Sequence, residues 1–354
     1  MLFVNILTKG FDSPNGLAFL FPIILFKNIL SEKFKIKIFF KKTKSIENCD
    51  VLLIESKFYK DKWKNYHNEI IKQFHSWKMK NIKVIFCDTT DSSSWIKSDI
   101  FDYVYKYAKG QLLKNKDLYL KKIYANRVYA EYYFKNKKVL DIKPEYSSPI
   151  KKNHLSKFCL SWNSGLANYS IFSPIVYKYT PFFLSASIFK FSNQFISPHR
   201  KRDLINCRFG SMYHLKSIRY QRDQMKKILK GYLKTDKLNR FSYFNEMKRT
   251  LLSIVPFGYG EITLKDFESF LNGCILMKPR MNHLETWPNF YIPEQTFISF
   301  PWNFEGLQEK IEDVKIKPKK YLQVSQRGQD LYKKYTVHKN ASELFFKQFD
   351  NLVS

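Results

Sequence analysis

Two aspartates stand where a general base for hydroxyl chemistry is expected. Asp88 and Asp91 directly follow the apolar run Val84–Cys87, so both carboxylates are predicted at the carboxyl end of a strand. A carboxylate there can deprotonate an acceptor hydroxyl. Asp12, in a turn-rich segment near the amino terminus, is a rival candidate, and turn capping is the alternative role for each aspartate.

The other two candidate catalytic side chains are His283 and Glu261. His283 follows the apolar run Cys274–Lys278, where an imidazole can donate a hydrogen bond to an oxygen of a bound ligand. A purely structural histidine is the alternative. Glu261 comes directly after the turn Gly258-Tyr259-Gly260.

The most informative segment is 251–279, LLSIVPFGYGEITLKDFESFLNGCILMKP. It predicts a buried strand, a turn at 258–260 and then a helix. Glycines permit close backbone approach to a ligand, and a helix amino terminus favours a diphosphate. Lys265 adds a cation near the first turn, and Glu268, three residues later, can accept hydrogen bonds from both hydroxyls of a ribose. Gly273 is expected to end the helix.

An ordinary strand–turn–helix unit is the alternative interpretation, because Gly-x-Gly alone is a weak signal. The missing third glycine counts against a nucleotide-dependent oxidoreductase, as does the distance of this turn from the first strand. Arg208 ends another predicted strand and, with Arg219 and Arg222 on the following helix, is a candidate for binding phosphate. A solvated basic face is the alternative for the last two. The residues predicted to bind a nucleoside diphosphate ligand are Arg208, Gly258, Tyr259, Gly260, Lys265 and Glu268.

Strands and helices alternate in both halves of the chain. In the first half, apolar patterns predict strands at 3–7, 35–40, 51–55 and 83–87, with helices over 17–30 and 62–80. In the second half they predict strands at 204–209, 250–257, 274–278 and 294–300, with helices over 217–230, 262–272, 304–313 and 320–350. This alternation predicts an α/β fold of two Rossmann-like domains that face a central cleft. The predicted divisions are 1–195, 196–335 and a C-terminal helix, 336–354, that crosses back to the first domain.

The chain is strongly basic, with 61 Lys+Arg against 31 Asp+Glu and a formal net charge of +30. Three interpretations stay open: nucleic-acid binding, attraction to an anionic membrane surface or acidic substrate, and solvated lysines in a chain also rich in Asn, Ile, Phe and Tyr. The basic residues are spread along the chain without a recognised DNA- or RNA-binding signature, so no nucleic-acid partner is predicted. A polyanion-binding protein without catalysis remains the alternative function.

The remaining motifs argue against metal chemistry and secretion. The five cysteines form no C-x-x-C pair, which predicts reduced thiols and no zinc site. Neither H-E-x-x-H, a D-x-D in clear context nor G-x-S-x-G occurs, so no metal or other cofactor is expected. No signal peptide opens the chain, and the apolar run 16–30 is too short to span a bilayer. A cytoplasmic protein is predicted, with peripheral attachment to an anionic inner-membrane surface as a hypothesis.

The residues Gly258–Gly273, followed by Cys274–Pro279, resemble the donor-binding motif of GT-B glycosyltransferases, including the exostosin-like and family-four-like groups. Lys265 and Glu268 match its basic residue and glutamate, and Gly273-Cys274 matches its small residues before a buried strand. The chain also resembles a group of bacterial glycosyltransferases found among surface-polysaccharide genes. The residues that carry this resemblance are 11–16, 88–92, 256–262, 265–268, 278–279 and 283–288.

The resemblance implies a nucleotide-sugar domain at 196–335 and an acceptor-side domain at 1–195. It implies a metal-independent hexosyltransferase that moves a sugar from a nucleotide-sugar to a hydroxyl of a glycan or lipid-linked acceptor, in surface polysaccharide or lipopolysaccharide synthesis. One departure concerns stereochemistry. Retaining GT-B enzymes usually have seven residues between two glutamates, whereas six separate Glu261 from Glu268, so a retaining outcome does not follow.

Overall fold

The computed structural model describes residues 1–60, 62–170, 190–191, 194–200 and 202–354. Its strands are Leu2–Leu7 (β1), Phe34–Phe39 (β2), Val51–Glu55 (β3), Lys83–Asp88 (β4), Lys106–Lys109 (β5), Gln111–Leu113 (β6), Phe158–Leu160 (β7), Leu204–Asn206 (β8), Thr250–Ile254 (β9), Ile275–Pro279 (β10), Leu284–Thr286 (β11) and Ile298–Phe300 (β12). Its α-helices are Pro14–Leu25 (α1), Lys27–Leu30 (α2), His67–Met79 (α3), Val128–Lys137 (α4), Lys216–Ile228 (α5), Arg240–Met247 (α6), Leu264–Leu271 (α7), Leu307–Ile316 (α8), Pro318–Thr336 (α9) and Ala341–Val353 (α10).

The first half of the chain builds a six-stranded sheet in the order β2-β1-β3-β4-β5-β7, with every pair of neighbours parallel. Its inner strands read as continuous apolar runs because helices and loops cover both faces. All five residues of β3 are buried, for example. The neighbours β1 and β3 lie where the order of connection reverses, which is the point of such sheets where ligands commonly bind.

The second half builds a four-stranded parallel sheet in the order β12-β10-β9-β8. Its central strand β10 is buried along its whole length. The helix α7 ends before β10 as predicted, because Gly273 takes the left-handed conformation, with φ +62°. The predicted α/β class with two Rossmann-like units is thus confirmed.

The carboxyl ends of the two sheets face each other, as the prediction of a central cleft requires. Asp91, just beyond β4, touches Gly260, just beyond β9. A short antiparallel ladder of β6 and β11 joins the two halves directly, pairing Leu113 with Leu284 and Gln111 with Thr286. No local pattern in the sequence indicates this ladder.

The C-terminal helix α10 packs against the first half of the chain. The ring of Phe345 lies 5.0 Å from Trp162 and 5.5 Å from Phe26, between ring centres. Phe349 lies 5.2 Å from Phe34, at the start of β2. The predicted crossing of a C-terminal helix is confirmed, although the single helix predicted over 320–350 is interrupted between α9 and α10.

The apolar segment predicted as one helix over 17–30 forms two, α1 and α2. Ser13 starts α1 by accepting a hydrogen bond from the backbone of Gly16 (3.0 Å), and Pro14 occupies the first turn. The middle of α1, including Phe21 and Ile23, is buried, so its apolar face is used inside the protein. Across the described part of the chain, no helix is both long and apolar enough to cross a bilayer.

The five cysteines are free thiols, as predicted. Cys87, Cys207 and Cys274 are buried. Burial raises the pKa of Cys207 and of Cys274 to about 12, so these thiols stay protonated and unreactive at neutral pH.

Candidate active site

The glycine turn that follows β9 lies against the first half of the chain. A hydrogen bond from Gly258 N to Gly260 O (2.9 Å) closes it. The Tyr129 hydroxyl donates to the main-chain oxygen of Gly258 (2.7 Å), and Arg127 Nε donates to the main-chain oxygen of Tyr259 (2.6 Å). A Cβ on Gly260 would lie 1.8 Å from the main-chain oxygen of Asp91. Asp91 therefore fills the space on the Cβ side of Gly260, and the donor contact of Gly260 stays a prediction.

The amino terminus of α7 carries its own cap. The backbone N and the hydroxyl of Thr263 both donate to the Asp266 carboxylate, at 3.0 Å. The same carboxylate accepts from Lys278 Nζ (2.5 Å) and from the Tyr291 hydroxyl (2.7 Å). An internal anion thus occupies the positive end of the helix, where the sequence predicts a diphosphate. The structure corrects that prediction.

Arg208 follows β8, and its guanidinium meets Glu246 of α6 at the wall of a cavity of about 590 Å³. Its Nε and Nη2 atoms donate to the carboxylate of Glu246 at 3.0 and 2.8 Å. Hydrogen bonding to Glu246 raises the pKa of Arg208, and the positive charge is compensated within the protein. The predicted role of Arg208 as a phosphate ligand is corrected to that of an ion-pair partner. Arg219 likewise pairs with Asp223 on its own helix, at 3.0 Å.

Arg222, on α5, is the arginine that reaches the glycine turn. Its Nε donates to Phe257 O (2.7 Å) and its Nη1 to Gly210 O (2.6 Å), and these two carbonyls lie beyond β9 and β8. Its Nη2 would be 3.7 Å from a Cβ placed on Gly258. The arginine ion pairs found among the described residues do not include Arg222. Burial lowers its pKa. Such a cation, half-buried and without a carboxylate partner among the described residues, favours an anionic ligand.

Lys265 adds a second positive charge beside Arg222. Its Nζ donates to the main-chain oxygen of Arg208 and lies 4.6 Å from the centre of the Tyr243 ring. Burial lowers the pKa of Lys265 to about 8, the carboxylate of Glu268 opposes this change, and the guanidinium of Arg222 adds to it. We call Arg222 and Lys265 the cationic pair.

Glu268 lies one turn beyond Lys265 on α7 and is buried. Its Oε1 is 3.5 Å from Arg240 Nη1, and Arg240 Nη2 donates to Ser170 O (2.9 Å). Burial raises the pKa of Glu268, while Arg240 and Lys265 lower it. The buried hydroxyl of Tyr243 lies beside this carboxylate and helps to lower its pKa. A buried carboxylate beside a tyrosine hydroxyl can bind a ligand's hydroxyl groups.

Glu261 and His283 meet where the two halves join. The fully buried Glu261 carboxylate accepts from Ser93 Oγ (2.7 Å), Ser93 N (3.2 Å) and Gln111 Nε2 (3.3 Å) of the first half. His283 Nε2 lies 3.6 Å from Glu261 Oε1, just beyond hydrogen-bond length, and has no other polar partner in the described ranges. Burial alone would raise the pKa of Glu261, but His283 and Ser93 outweigh it and the pKa is lowered. A carboxylate that faces an imidazole in this way can orient it as a base.

Asp88 is held in a buried ion pair. Its Oδ2 accepts from Lys109 Nζ and from the Tyr107 hydroxyl, both at 2.7 Å, and its Oδ1 accepts from Thr90 N (2.9 Å). Burial opposes ionisation, but Lys109 outweighs it and lowers the pKa of Asp88. With its oxygens occupied and its proton affinity reduced, Asp88 is unsuited to the predicted role of base, and we correct that prediction.

Asp91 is placed differently from Asp88. Its carboxylate is exposed and accepts one hydrogen bond, from Asn15 Nδ2 (2.8 Å). Both aspartates border a small cavity of about 60 Å³ together with Gly110 and Ile262, between the two halves. A pocket of that size holds water but no nucleotide. The predicted rival Asp12 lies in the short helix Gly10–Asp12, before α1.

Sequence reasoning missed several residues of this region. Ser93 and Gln111 bind Glu261, Arg127 and Tyr129 hold the glycine turn, and Arg240 faces Glu268. Each partner lies at least 28 residues away along the chain, so no local spacing indicates it. The one local signal is the polar run Ser92-Ser93-Ser94, which directly follows Asp91. All three serines are buried, and buried hydroxyls need hydrogen-bond partners, which indicates polar contacts in this region.

The fold has two Rossmann-like sheets whose carboxyl edges face each other. No protein-family model matches the chain, and no curated protein matches it. Among solved structures, Anabaena HepE in complex with UDP-glucose shares 7% identity over 99% of this chain and 100% of its own, with a TM-score of 0.46. HepE in complex with UDP and glucose shares 7% identity over 99% of each chain, with a TM-score of 0.48. Sucrose-phosphate synthase from Thermosynechococcus elongatus shares 8% identity over 99% of each chain, with a TM-score of 0.44. With TM-scores below 0.5, these likenesses carry no argument about the activity of this chain.

Proposed function

We propose that this protein is a metal-independent glycosyltransferase of the hexosyltransferase class that uses a nucleotide-sugar donor. The observation that carries the proposal is the cationic pair at the glycine turn. Arg222 is half-buried there without a carboxylate partner among the described residues, and Lys265 has its pKa lowered to about 8. Both features favour a bound diphosphate, because an anion beside the cationic pair supplies the negative partner that Arg222 lacks and stabilises the charged form of Lys265.

The other donor contacts follow from the same turn. Glu268, one helical turn from Lys265, is assigned to the ribose hydroxyls, with Arg240 holding its carboxylate. Gly258 leaves room for the phosphates beside Arg222, since nothing lies closer than 3.5 Å to a Cβ built on it. Tyr259, which is 42% exposed, is a contact for the rest of the donor. These assignments support a donor site on the β8–β9 side of the second sheet.

The proposed transfer uses His283 as the base. Its imidazole takes the proton of the acceptor hydroxyl, the hydroxyl oxygen bonds to the anomeric carbon, and the bond from that carbon to the diphosphate oxygen breaks with its electron pair on the nucleotide. Glu261 stabilises the imidazolium that forms. The cationic pair compensates the charge that develops on the diphosphate, in place of a metal. Asp91 is the second candidate for the base, since its carboxylate is exposed.

The proposed acceptor is a glycan or lipid-linked sugar, in bacterial surface-polysaccharide synthesis. A basic edge of the first sheet supports contact with an anionic membrane. Here β2 is the outer strand, and lysines of the surrounding segment are exposed: Lys27, Lys35, Lys37, Lys41, Lys42 and Lys44. Phe3 and Phe40 are more than 40% exposed beside them. Lysines with exposed aromatics are typical of surfaces that bind anionic bilayers. We call these eight residues the β2 edge.

Thermal unfolding with UDP, GDP, CMP, ADP and NAD tests the proposal. A ligand at about a hundred times its dissociation constant stabilises the folded state by about 2.7 kcal/mol. We expect one nucleoside diphosphate to raise the unfolding temperature of the wild type and of Glu343→Ala, which removes an exposed glutamate on α10. Glu268→Ala should show a much smaller increase over its own ligand-free value.

Two results would contradict the transferase. One is stabilisation by NAD alone. The other is the absence of any nucleotide effect together with steeply salt-dependent binding to duplex DNA, which would favour the alternative of a polyanion-binding protein, based on the net charge of +30.

A further inference from the structure

A second cavity lies at the same edge of the second sheet, on the side away from the cationic pair. Its volume is about 640 Å³, within the range of small-molecule sites. Arg280, Asn282 and His283 line it from the end of β10, Trp302 lines it from the end of β12, and Tyr132 lines it from α4 in the first half of the chain. The cavity thus opens onto the imidazole that faces Glu261.

The walls of this cavity suit a sugar ring. Trp302 is half-buried, and its ring stands nearly perpendicular to those of His283 and Tyr132, at centre distances of 5.0 and 5.4 Å. The Trp302 indole N–H donates to Arg280 O (3.0 Å), which fixes the orientation of the ring. Aromatic walls with a few polar groups are typical of small-ligand sites, and a hexose presents apolar C–H faces between its hydroxyls.

The charges around the cavity indicate what kind of sugar fits. Lys310 and Glu305 also border it. Lys310 Nζ donates to Ser299 O (2.6 Å) and lies 3.9 Å from Glu294, and the Glu305 carboxylate accepts from Asn303 Nδ2 (3.1 Å). The guanidinium of Arg280, in contrast, makes no hydrogen bond or ion pair with any described residue. It is exposed and has all its donors available. A guanidinium in this state can bind a carboxylate or phosphate through two parallel hydrogen bonds.

We propose that this cavity is the acceptor subsite and that it selects an acidic hexose, whose carboxylate or phosphate binds Arg280 while its ring lies against Trp302. The inference rests on the proposed transferase function and names its acceptor class. In this arrangement the acceptor hydroxyl lies next to His283. The donor residues lie on the other side of the Glu261–His283 contact.

Binding of monosaccharides to the full chain tests the subsite without requiring turnover. We would titrate methyl β-D-glucuronide, glucose 6-phosphate and methyl β-D-glucoside by ligand-observed saturation-transfer NMR. The acidic sugars should bind the wild type about tenfold or more tightly than the glucoside, because a hydrogen bond to a charged group is lost with the neutral sugar. The two acidic probes distinguish a carboxylate from a phosphate as the preferred group.

Variants identify the residue responsible. Arg280→Ala should abolish the preference for acidic sugars, Arg280→Lys should retain part of it, and Arg327→Ala, which removes an exposed arginine on α9, should leave it unchanged. Equal binding of acidic and neutral sugars by the wild type would overturn the inference. So would an equal loss in Arg280→Ala and Arg327→Ala, which would indicate a general charge effect.

The nucleotide panel separates this inference from the proposed function. A nucleotide effect on the wild type without acidic-sugar selectivity removes the subsite and leaves the transferase. Selectivity that depends on Arg280, without any nucleotide effect, leaves an acidic-sugar site in a protein that is not the proposed transferase.

Discussion

Gly260 lies against the main-chain oxygen of Asp91, so closely that a Cβ on residue 260 would stand 1.8 Å from that oxygen. The two residues follow β9 and β4, one from each sheet, and their contact brings the carboxyl edges together. Glu261, next in the chain, is fully buried and hydrogen-bonded to Ser93, two residues beyond Asp91. The glycine is therefore required by the joint between the two halves of the chain.

Gly260→Ala should weaken this joint. Because the clash is with backbone, both segments must move, and overpacking of this kind costs about 1–3 kcal/mol. Gly258→Ala is the matched control in the same turn, since its Cβ would be no closer than 3.5 Å to any neighbour. Urea unfolding should show a lower free energy of unfolding for Gly260→Ala only. Equal losses in the two variants would contradict the contact with Asp91.

Nucleotide affinity should depend on the protonation of Lys265. Its pKa is about 8 in the unliganded protein, and a bound diphosphate favours the charged form. Affinity should therefore be full below pH 8 and fall above it, by up to about tenfold per pH unit. Calorimetric titration with the nucleotide selected by the thermal panel, between pH 6.5 and 9, measures this decline. Lys265→Arg, whose guanidinium stays charged, should bind with little pH dependence, and the same decline in both proteins would assign it to another group.

The buried pair of Asp88 and Lys109 should support the fold. Removing one partner of a buried ion pair leaves an uncompensated charge and costs about 3–5 kcal/mol. Asp88→Asn should lower the free energy of unfolding by this order, whereas Asp203→Asn, which breaks an exposed pair with Arg249, should change it by less than about 1 kcal/mol.

The pH dependence of the difference in unfolding free energy between the wild type and Asp88→Asn provides a second test. The pKa of Asp88 is lower in the folded than in the unfolded protein, so its stabilising effect is present above the unfolded pKa and is lost as the pH falls through the folded pKa. The gap between the wild type and Asp88→Asn should accordingly narrow in acid. A gap that is constant from neutral to acid pH would mean that ionisation of Asp88 does not contribute.

The sequence predicts those elements whose local pattern is strong. The strand Val51–Glu55 has its predicted bounds, since an apolar run of this length fits a strand buried on both faces. The strand Lys106–Lys109 was missed because two of its four residues are lysines, and Lys109 is buried only by virtue of Asp88, 21 residues away. The charged and polar partners of the site could not be predicted for the same reason, because they are distant in the sequence from the residues that they contact. Glu268 could be found from its spacing to Lys265, but Arg240 and Ser93 become neighbours of the site only through tertiary contacts.

The β2 edge should account for any attachment to anionic membranes. Each basic residue near such a surface contributes about 1 kcal/mol. The triple variant Lys35→Glu/Lys37→Glu/Lys41→Glu should therefore lose binding to vesicles that contain acidic lipid. The control Lys227→Glu/Lys230→Glu/Lys319→Glu changes the net charge equally, at exposed positions of the second half. Cosedimentation with acidic and with zwitterionic vesicles measures both. Loss of binding to the same extent in the two variants would point to net charge alone.

The contact between Glu261 and His283 should act as one unit in catalysis. If His283 is the base and Glu261 orients it, His283→Asn should lower kcat by about 10²–10⁴-fold, the usual contribution of a positioned base. Glu261→Gln should lower kcat less than His283→Asn, because the glutamine can still accept the hydrogen bond from Ser93 Oγ and face the imidazole. The double variant should be no slower than His283→Asn alone, since the effects of residues that act through one another do not add. Multiplication of the two single effects in the double variant would show that Glu261 acts independently of His283, and an unchanged kcat in His283→Asn would transfer the role of base to Asp91.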